Sequence, residues 1–124
     1  MDLRSLKGGV AVITGSASGL GYALAARAAQ SGMHVVLSDI RQGPLDEAVA
    51  QLRDAAPLGT VVIGCLCDVT SKASVQGLLL ATQDAFGGSP IQFLGANAGV
   101  CYPGSTVLTG TADEWKFTYL VNVC

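Results

Sequence analysis

Charged residues are scarce in this sequence, at 13% of 124 residues with a net charge of −2. Lys and Arg are scattered and form no run. Composition therefore gives no electrostatic reason to expect nucleic acid and supports no basic membrane patch. Long apolar runs are missing as well. No stretch approaches the roughly 20 residues that span a bilayer. The polar lead M-D-L-R-S-L-K-G-G precedes only a four-residue apolar run, Val10 to Ile13, too short for a signal-peptide core. A cytoplasmic location is the expectation, with an organelle left open. His34 is the one histidine, and Cys65, Cys67, Cys101 and Cys124 form no C-x-x-C pair. A zinc site wants ligand pairs at tighter, repeated spacing, so no metal is expected. Reduced thiols in or near a core are the preferred reading.

What is present is apolar material in short pieces. Half the residues are hydrophobic, which places the chain among folded globular proteins. Its length suits one domain, residues 1–124, burying about two thirds of its unfolded surface. Val10 to Thr14 reads as a buried strand. Leu20 to Gln30 is Ala-rich and helix-favouring, and Ser31-Gly32 ends it. His34 to Asp39 is a second strand. Pro44 fits a first helical position, with Asp46 and Glu47 in the positive first turn. Leu45, Ala48, Val49 and Leu52 share one helical face.

Thr60 to Cys67 is a third strand, and Val75, Leu78, Leu79, Thr82 and Phe86 mark a third helix. Ile91 to Ala96 is a fourth strand. Thr111 and Glu114 form a capping box, opening a fourth helix at Ala112. Apolar strands alternating with helices imply a parallel sheet covered on both faces, and right-handed crossovers favour a doubly wound α/β fold.

The first strand ends in I-T-G-S-A-S-G-L-G, Ile13 to Gly21. In a doubly wound sheet this turn faces the ligand crevice, where the first helix presents unpaired amides and a partial positive charge. A pyrophosphate fits that end. Gly15 permits the sharp exit from the strand. Gly19 and Gly21 remove side chains where backbone meets phosphate or helix meets sheet. The spacing G-x-x-x-G-x-G matches a P-loop poorly, because Gly19 is followed by Leu20 rather than Lys. A glycine-rich turn with no ligand is the alternative.

Asp39 closes the second strand eighteen positions beyond Gly21. A carboxylate there accepts from both ribose hydroxyls of adenosine and repels a 2′-phosphate. Arg41, a nearby cation, acts in the other direction by pairing with a phosphate. The alternative for Asp39 is a turn-forming carboxylate, and for Asp68 a carboxylate favourable at any helix start. Asn122 shares a face with Trp115, Thr118 and Tyr119, while Phe117, Leu120, Val121 and Cys124 make a second apolar stripe. A helix apolar on two sides is expected to be buried, so Asn122 calls for partners.

Thr14 to Gly21 resembles the T-G-x-x-x-G-x-G signature of the short-chain dehydrogenases/reductases. Leu6-Lys7-Gly8 is similar to that family's lead-in, and C-D-V-T (Cys67 to Thr70) to its D-V segment after the third strand. A-N-A-G (Ala96 to Gly99) is similar to its N-N-A-G, with Ala96 in place of the first Asn. E-W-x(5)-V-N-V (Glu114 to Val123) is similar to its fourth helix. The resemblance covers essentially the whole chain.

It implies a Rossmann-type doubly wound sheet of about four strands in the order 3-2-1-4 with four helices. It also implies hydride transfer between NAD(P)(H) and an alcohol or ketone. Gly15, Ser18, Gly19, Leu20, Gly21, Asp39 and Ile40 become cofactor-binding. Asp68 is placed at the adenine amino group and Val69 on the ring. Asn97, Ala98 and Gly99 flank the cofactor ribose and hold the sheet. Asn122 supports a proton relay, holding a water near a catalytic lysine. Asp39, with Ser18 where NADP-preferring relatives often carry a basic residue, puts NAD ahead of NADP.

The family's chemistry also uses a serine and a Tyr-x-x-x-Lys pair. Here Tyr22, Tyr102 and Tyr119 are followed four residues later by Ala26, Thr106 and Val123. The expectation is therefore the N-terminal part of a longer, homo-oligomeric oxidoreductase, truncated within the sheet and inactive alone. Its fourth strand is expected to be an open edge prone to association. The alternative is a non-catalytic dinucleotide-binding or interaction module.

Overall fold

The computed structural model describes residues 3–123, and Cys124, assigned above to an apolar stripe, lies outside them. A 3-10 turn at Leu3–Leu6 leads into strand β1, Val10–Thr14. The chain then alternates through α1 (Gly19–Gln30), β2 (His34–Asp39), α2 (Gln42–Ala55), β3 (Val62–Leu66), α3 (Lys72–Ala85), β4 (Ile91–Gly95) and α4 (Ala112–Asn122). The four strands form one sheet in the order β3-β2-β1-β4, every neighbouring pair parallel. This is the Rossmann-like, doubly wound arrangement expected from the apolar strand runs.

Side chains alternate between the two faces of each strand, and the core divides accordingly. Ala11, Ile13, Val35 and Leu37 point toward α1 and α2. Val10, Val12 and Val36 point the other way, toward Leu78 of α3 and Cys67. Ala25, Ala28 and Ala29 bring α1 close to the sheet, because a methyl group is all that separates backbone from strand. The predicted face of α2 is buried as read: Leu45, Ala48, Val49 and Leu52. Each buried Leu, Ile or Val side chain stabilises the fold by about 1.5–3 kcal/mol.

The third and fourth strands are shorter than expected, ending at Leu66 and Gly95 rather than Cys67 and Ala96. Helix α2 begins at Gln42, so Pro44 is its third residue, and Asp46 and Glu47 fall in the second turn. Proline is tolerated there because the first four amides of a helix have no intrahelical acceptor. In α3 only Leu78 and Thr82 are buried, while Val75 and Leu79 face outward.

Helix α4 corrects a larger expectation. Its capping box is present, with Thr111 Oγ1 accepting from Glu114 N at 3.2 Å and Glu114 Oε2 accepting from Thr111 N at 2.8 Å. No residue of α4 is buried, however, and Trp115 is 60% exposed. The two-sided apolar pattern specifies a helix that needs cover. Among the described residues no strand pairs with the free side of β4, whose Leu94 is 65% exposed.

Candidate functional site

The carboxyl ends of the four parallel strands lie on one side of the sheet, and the candidate site is built there. From β1 the chain runs outward through β2 to β3, whereas β4 pairs on the opposite side of β1. The crevice between the β1 and β4 exits is thus the point where strand order reverses, the usual ligand position in such sheets.

The β1 exit is tightly constrained. Gly15 has φ +63°, and a Cβ there would lie 2.7 Å from Ala98 Cα. Both the backbone angle and the close approach of two chains demand glycine. Ser16 is buried and joins the loop to β2: its amide donates to Ser38 O at 3.0 Å, and its Oγ accepts from Ser38 N at 2.9 Å and donates to Ile13 O at 2.8 Å. Ala17 N then donates to Asp39 Oδ2 at 3.2 Å.

Ser18 stands at the N-cap of α1 without capping it. Its Oγ accepts instead from Arg41 Nη2 at 3.1 Å. The first amides of α1 therefore keep the unpaired, electropositive character of a helix start. Gly19 there has φ +59° with open space beside it, and Leu20 is exposed. Gly21 is buried, and a side chain would run into the Gly15 carbonyl.

Asp39 is only 5% exposed and accepts from four donors. Oδ1 accepts from Arg41 N at 3.1 Å and Arg41 Nε at 3.0 Å; Oδ2 accepts from Ala17 N and from Arg41 Nη2 at 3.3 Å. Burial works to raise the pKa of this carboxyl. The hydrogen bonds from Arg41 and Ala17, with the Arg41 charge, outweigh burial and hold it below the usual carboxylate range.

At the β4 exit, Asn97 Nδ2 donates to Thr14 O at 3.1 Å and to Gly15 O at 3.2 Å. Thr14 Oγ1 accepts from Asn97 N and Ala98 N, both at 3.1 Å. These bonds tie β4 to β1 where the sheet's hydrogen-bond ladder ends. Asp68 Oδ1 accepts from Thr70 N at 2.9 Å and Thr70 Oγ1 at 2.7 Å, which lowers its pKa.

Asn122 Oδ1 accepts from Val100 N at 2.8 Å, and Asn122 Nδ2 donates to Val100 O at 2.9 Å. Partners for this amide were expected. Its burial was not found: Asn122 is exposed, because α4 itself is uncovered.

These elements enclose a cleft of about 590 Å³. Gly15, Ser18, Asp39, Ile40, Asp68, Val69, Asn97, Ala98 and Gly99 all line it. Gly19, Leu20, Gly21 and Asn122 are outside the lining: the first three form the start of α1 at its rim, and Asn122 braces Val100 from behind. Arg41, weighed above as a phosphate partner but not among the expected cofactor-binding residues, lines the cleft, as do Cys67, Thr70, Val100, Phe117 and Val121, for which no site role was expected; the bracing roles of Thr14 and Ser16 were not expected either. A signal existed for Arg41, a cation two residues after the ribose-type carboxylate. The others carry no chemistry-bearing spacing.

A dinucleotide suits this donor set. An ionised carboxylate, an uncapped helix start with open space at Gly19, and apolar lining from Ile40, Val69, Val100, Phe117 and Val121 are joined in one crevice. These are the groups that bind ribose hydroxyls, a pyrophosphate and a flat ring. Among the described residues, no helix is long and apolar enough to cross a membrane.

The profile of the family described as short chain dehydrogenase matches residues 9–124. The chain is 39% identical over 114 residues to the (2S)-[(R)-hydroxy(phenyl)methyl]succinyl-CoA dehydrogenase subunit BbsD of Thauera aromatica, covering 92% of this chain and 44% of that protein. A crystal structure of a short chain dehydrogenase/reductase from Burkholderia phymatum in complex with NAD superposes with a TM-score of 0.84 at 42% identity, covering 95% of this chain and 40% of that one. L-sorbose reductase from Gluconobacter frateurii, complexed with NADPH and L-sorbose, superposes with a TM-score of 0.82 at 32% identity, covering 99% of this chain and 44% of that one. The chain spans less than half the length of the curated relatives it matches. Sheet order, crevice and sequence agree, and the chain belongs to the short-chain dehydrogenase family.

Proposed function

We propose that this chain forms the adenosine side of a nicotinamide dinucleotide site, in an oxidoreductase acting between an alcohol and a ketone. The observation that carries this reading is the Ala17–Asp39 contact, which joins the helix start to the ribose-type carboxylate in one crevice. The start of α1 at Gly19, Leu20 and Gly21 receives the pyrophosphate. Asp39 accepts from the adenosine ribose, Ile40 and Val69 sandwich the adenine, and Asp68 meets its amino group. Asn97, Ala98 and Gly99 form the wall toward the second ribose. Asn122 holds that wall through Val100, so its part in a proton relay is one of positioning.

When bound, the nicotinamide supplies the hydride acceptor or donor, and the residues of this chain hold and orient it. NAD is preferred to NADP, because a 2′-phosphate would meet the ionised Asp39. The relatives' bound NAD and NADPH support a nicotinamide cofactor in general. In this reading residues 1–124 constitute one Rossmann-type cofactor-binding unit.

Calorimetric titration with NAD tests the proposal. Saturable one-to-one binding is expected, weakened at least about tenfold in Asp39→Ala, in line with loss of hydrogen bonds to a charged acceptor. Absence of binding, or equal binding by the variant, contradicts it.

A further inference from the structure

Asp68 has one carboxylate oxygen held and one left over. Oδ1 accepts from Thr70 N at 2.9 Å and from Thr70 Oγ1 at 2.7 Å. Among the described residues no donor bonds to Oδ2. Asp68, Val69 and Thr70 all line the cleft. Helix α3 does not need the Thr70 hydroxyl for its start. Ser71 caps it, its Oγ accepting from Ser74 N at 3.2 Å. The turn before it is closed separately: Asp68 N donates to Ser74 Oγ at 2.9 Å, and Asp68 O accepts from Ser71 N at 3.0 Å. Upstream, Cys67 N donates to Asp39 O at 3.0 Å and pins the end of β3 to β2. The backbone of Asp68 is thus fixed on both sides without the Thr70 side chain. What the hydroxyl adds is a second donor on the same carboxylate oxygen, and the pair restrains rotation of the carboxylate about its Cβ–Cγ bond.

We infer that Thr70 is a positioning residue: by holding Asp68 Oδ2 toward the base, it makes the cleft select a purine with a 6-amino group over one with a 6-oxo group. The inference rests on reading the cleft as a nicotinamide dinucleotide site with Asp68 at the base. An ionised carboxylate only accepts, so Oδ2 takes a hydrogen bond from an exocyclic amino group and repels a carbonyl oxygen in the same place. A carboxylate without the hydroxyl restraint turns away from the carbonyl and loses alignment with the amino group. A hydrogen bond to a charged acceptor gives about tenfold or more in affinity, and loss of its alignment gives up part of that, about threefold.

The test is calorimetric titration of the 124-residue chain with NAD and with nicotinamide hypoxanthine dinucleotide, the analogue with a 6-oxo base. The unmutated chain is expected to prefer NAD about tenfold. Thr70→Val keeps the side-chain shape and removes the donor. It is expected to weaken NAD about threefold and to leave the analogue no weaker, so the preference shrinks. Thr70→Ser returns the hydroxyl and is expected to restore the preference. In an Asp68→Ala background, Thr70→Val is expected to change neither affinity, because the hydroxyl acts through the carboxylate. Equal losses of NAD and the analogue in Thr70→Val would show a merely structural hydroxyl and overturn the assignment, as would a preference that Thr70→Val keeps in full. An unmutated chain that binds both dinucleotides equally overturns this inference while leaving the cofactor reading intact. One that binds neither overturns both.

Discussion

The amide of Ala17 donates to Asp39 Oδ2 at 3.2 Å, although the two residues stand 22 positions apart. One bond thereby fixes the turn before α1 against the end of β2. It brings together an anion-seeking helix start and a hydroxyl-seeking carboxylate, which neither element supplies alone.

Acid should loosen this junction. The folded-state pKa of Asp39 is the depressed one. Its stabilisation is therefore complete above the ordinary carboxylate value, about 3.9, and is lost as pH falls through the lower folded value. Urea midpoints measured from pH 7 down to pH 3 are expected to fall at the acid end. The slope should be shallower in Asp39→Asn; parallel curves would remove Asp39 from the account.

Gly15 and Gly19 both have positive φ, but only Gly15 is crowded. Gly15→Ala should cost about 2–4 kcal/mol, combining left-handed backbone strain with overpacking against Ala98. Gly19→Ala should cost about 1–2 kcal/mol, from the backbone alone. Chemical denaturation of the two variants measures the difference, and equal losses contradict the packing argument.

Asn97 is the tie between β4 and β1. Asn97→Ala removes two hydrogen bonds to Thr14 O and Gly15 O. A loss of about 2 kcal/mol is expected. Hydrogen exchange should show its largest gain in β4, the edge strand held through this contact. Uniform exchange changes across the sheet would show that Asn97 is not a local tie.

Ser38 Oγ is buried with no hydrogen-bond partner among the described residues. Burying an unpaired hydroxyl is unfavourable, so Ser38→Ala should be neutral or stabilise by up to about 1 kcal/mol. A clear loss of thermal stability would show that the hydroxyl has a partner, such as a trapped water.

Leu94 of β4 and Trp115, Phe117, Tyr119 and Leu120 of α4 are large apolar side chains each at least 46% exposed, and among the described residues β4 is an edge of the sheet. Concentration-dependent association of the 124-residue chain is expected in light scattering. A monodisperse monomer across a hundredfold concentration range is the opposite result.

Much of the fold was legible because its signals are local. Val10–Thr14 and His34–Asp39 each hold an uninterrupted apolar stretch, Val10 to Ile13 and Val35 to Leu37, and those strands appear with the expected bounds. The α2 face follows from periodicity, whereas its start does not, since Pro44 is compatible with several positions in the first turn. The exposure of α4 was not legible either. Its apolar pattern is the same whether or not a covering layer is present. At the site, the carboxylate and glycines stand out by type and spacing. That Arg41 folds back on Asp39 is a side-chain conformation, and no spacing rule encodes it.

The most direct measurement of the central claim is a two-dimensional amide NMR titration of this chain with NAD. The account predicts that the largest shifts fall at residues 15–21, 39–41, 68–70 and 97–100, with the outer end of α2 near Asp54 unmoved. Shifts that avoid Ala17 and Asp39, or that spread evenly over the chain, would contradict it.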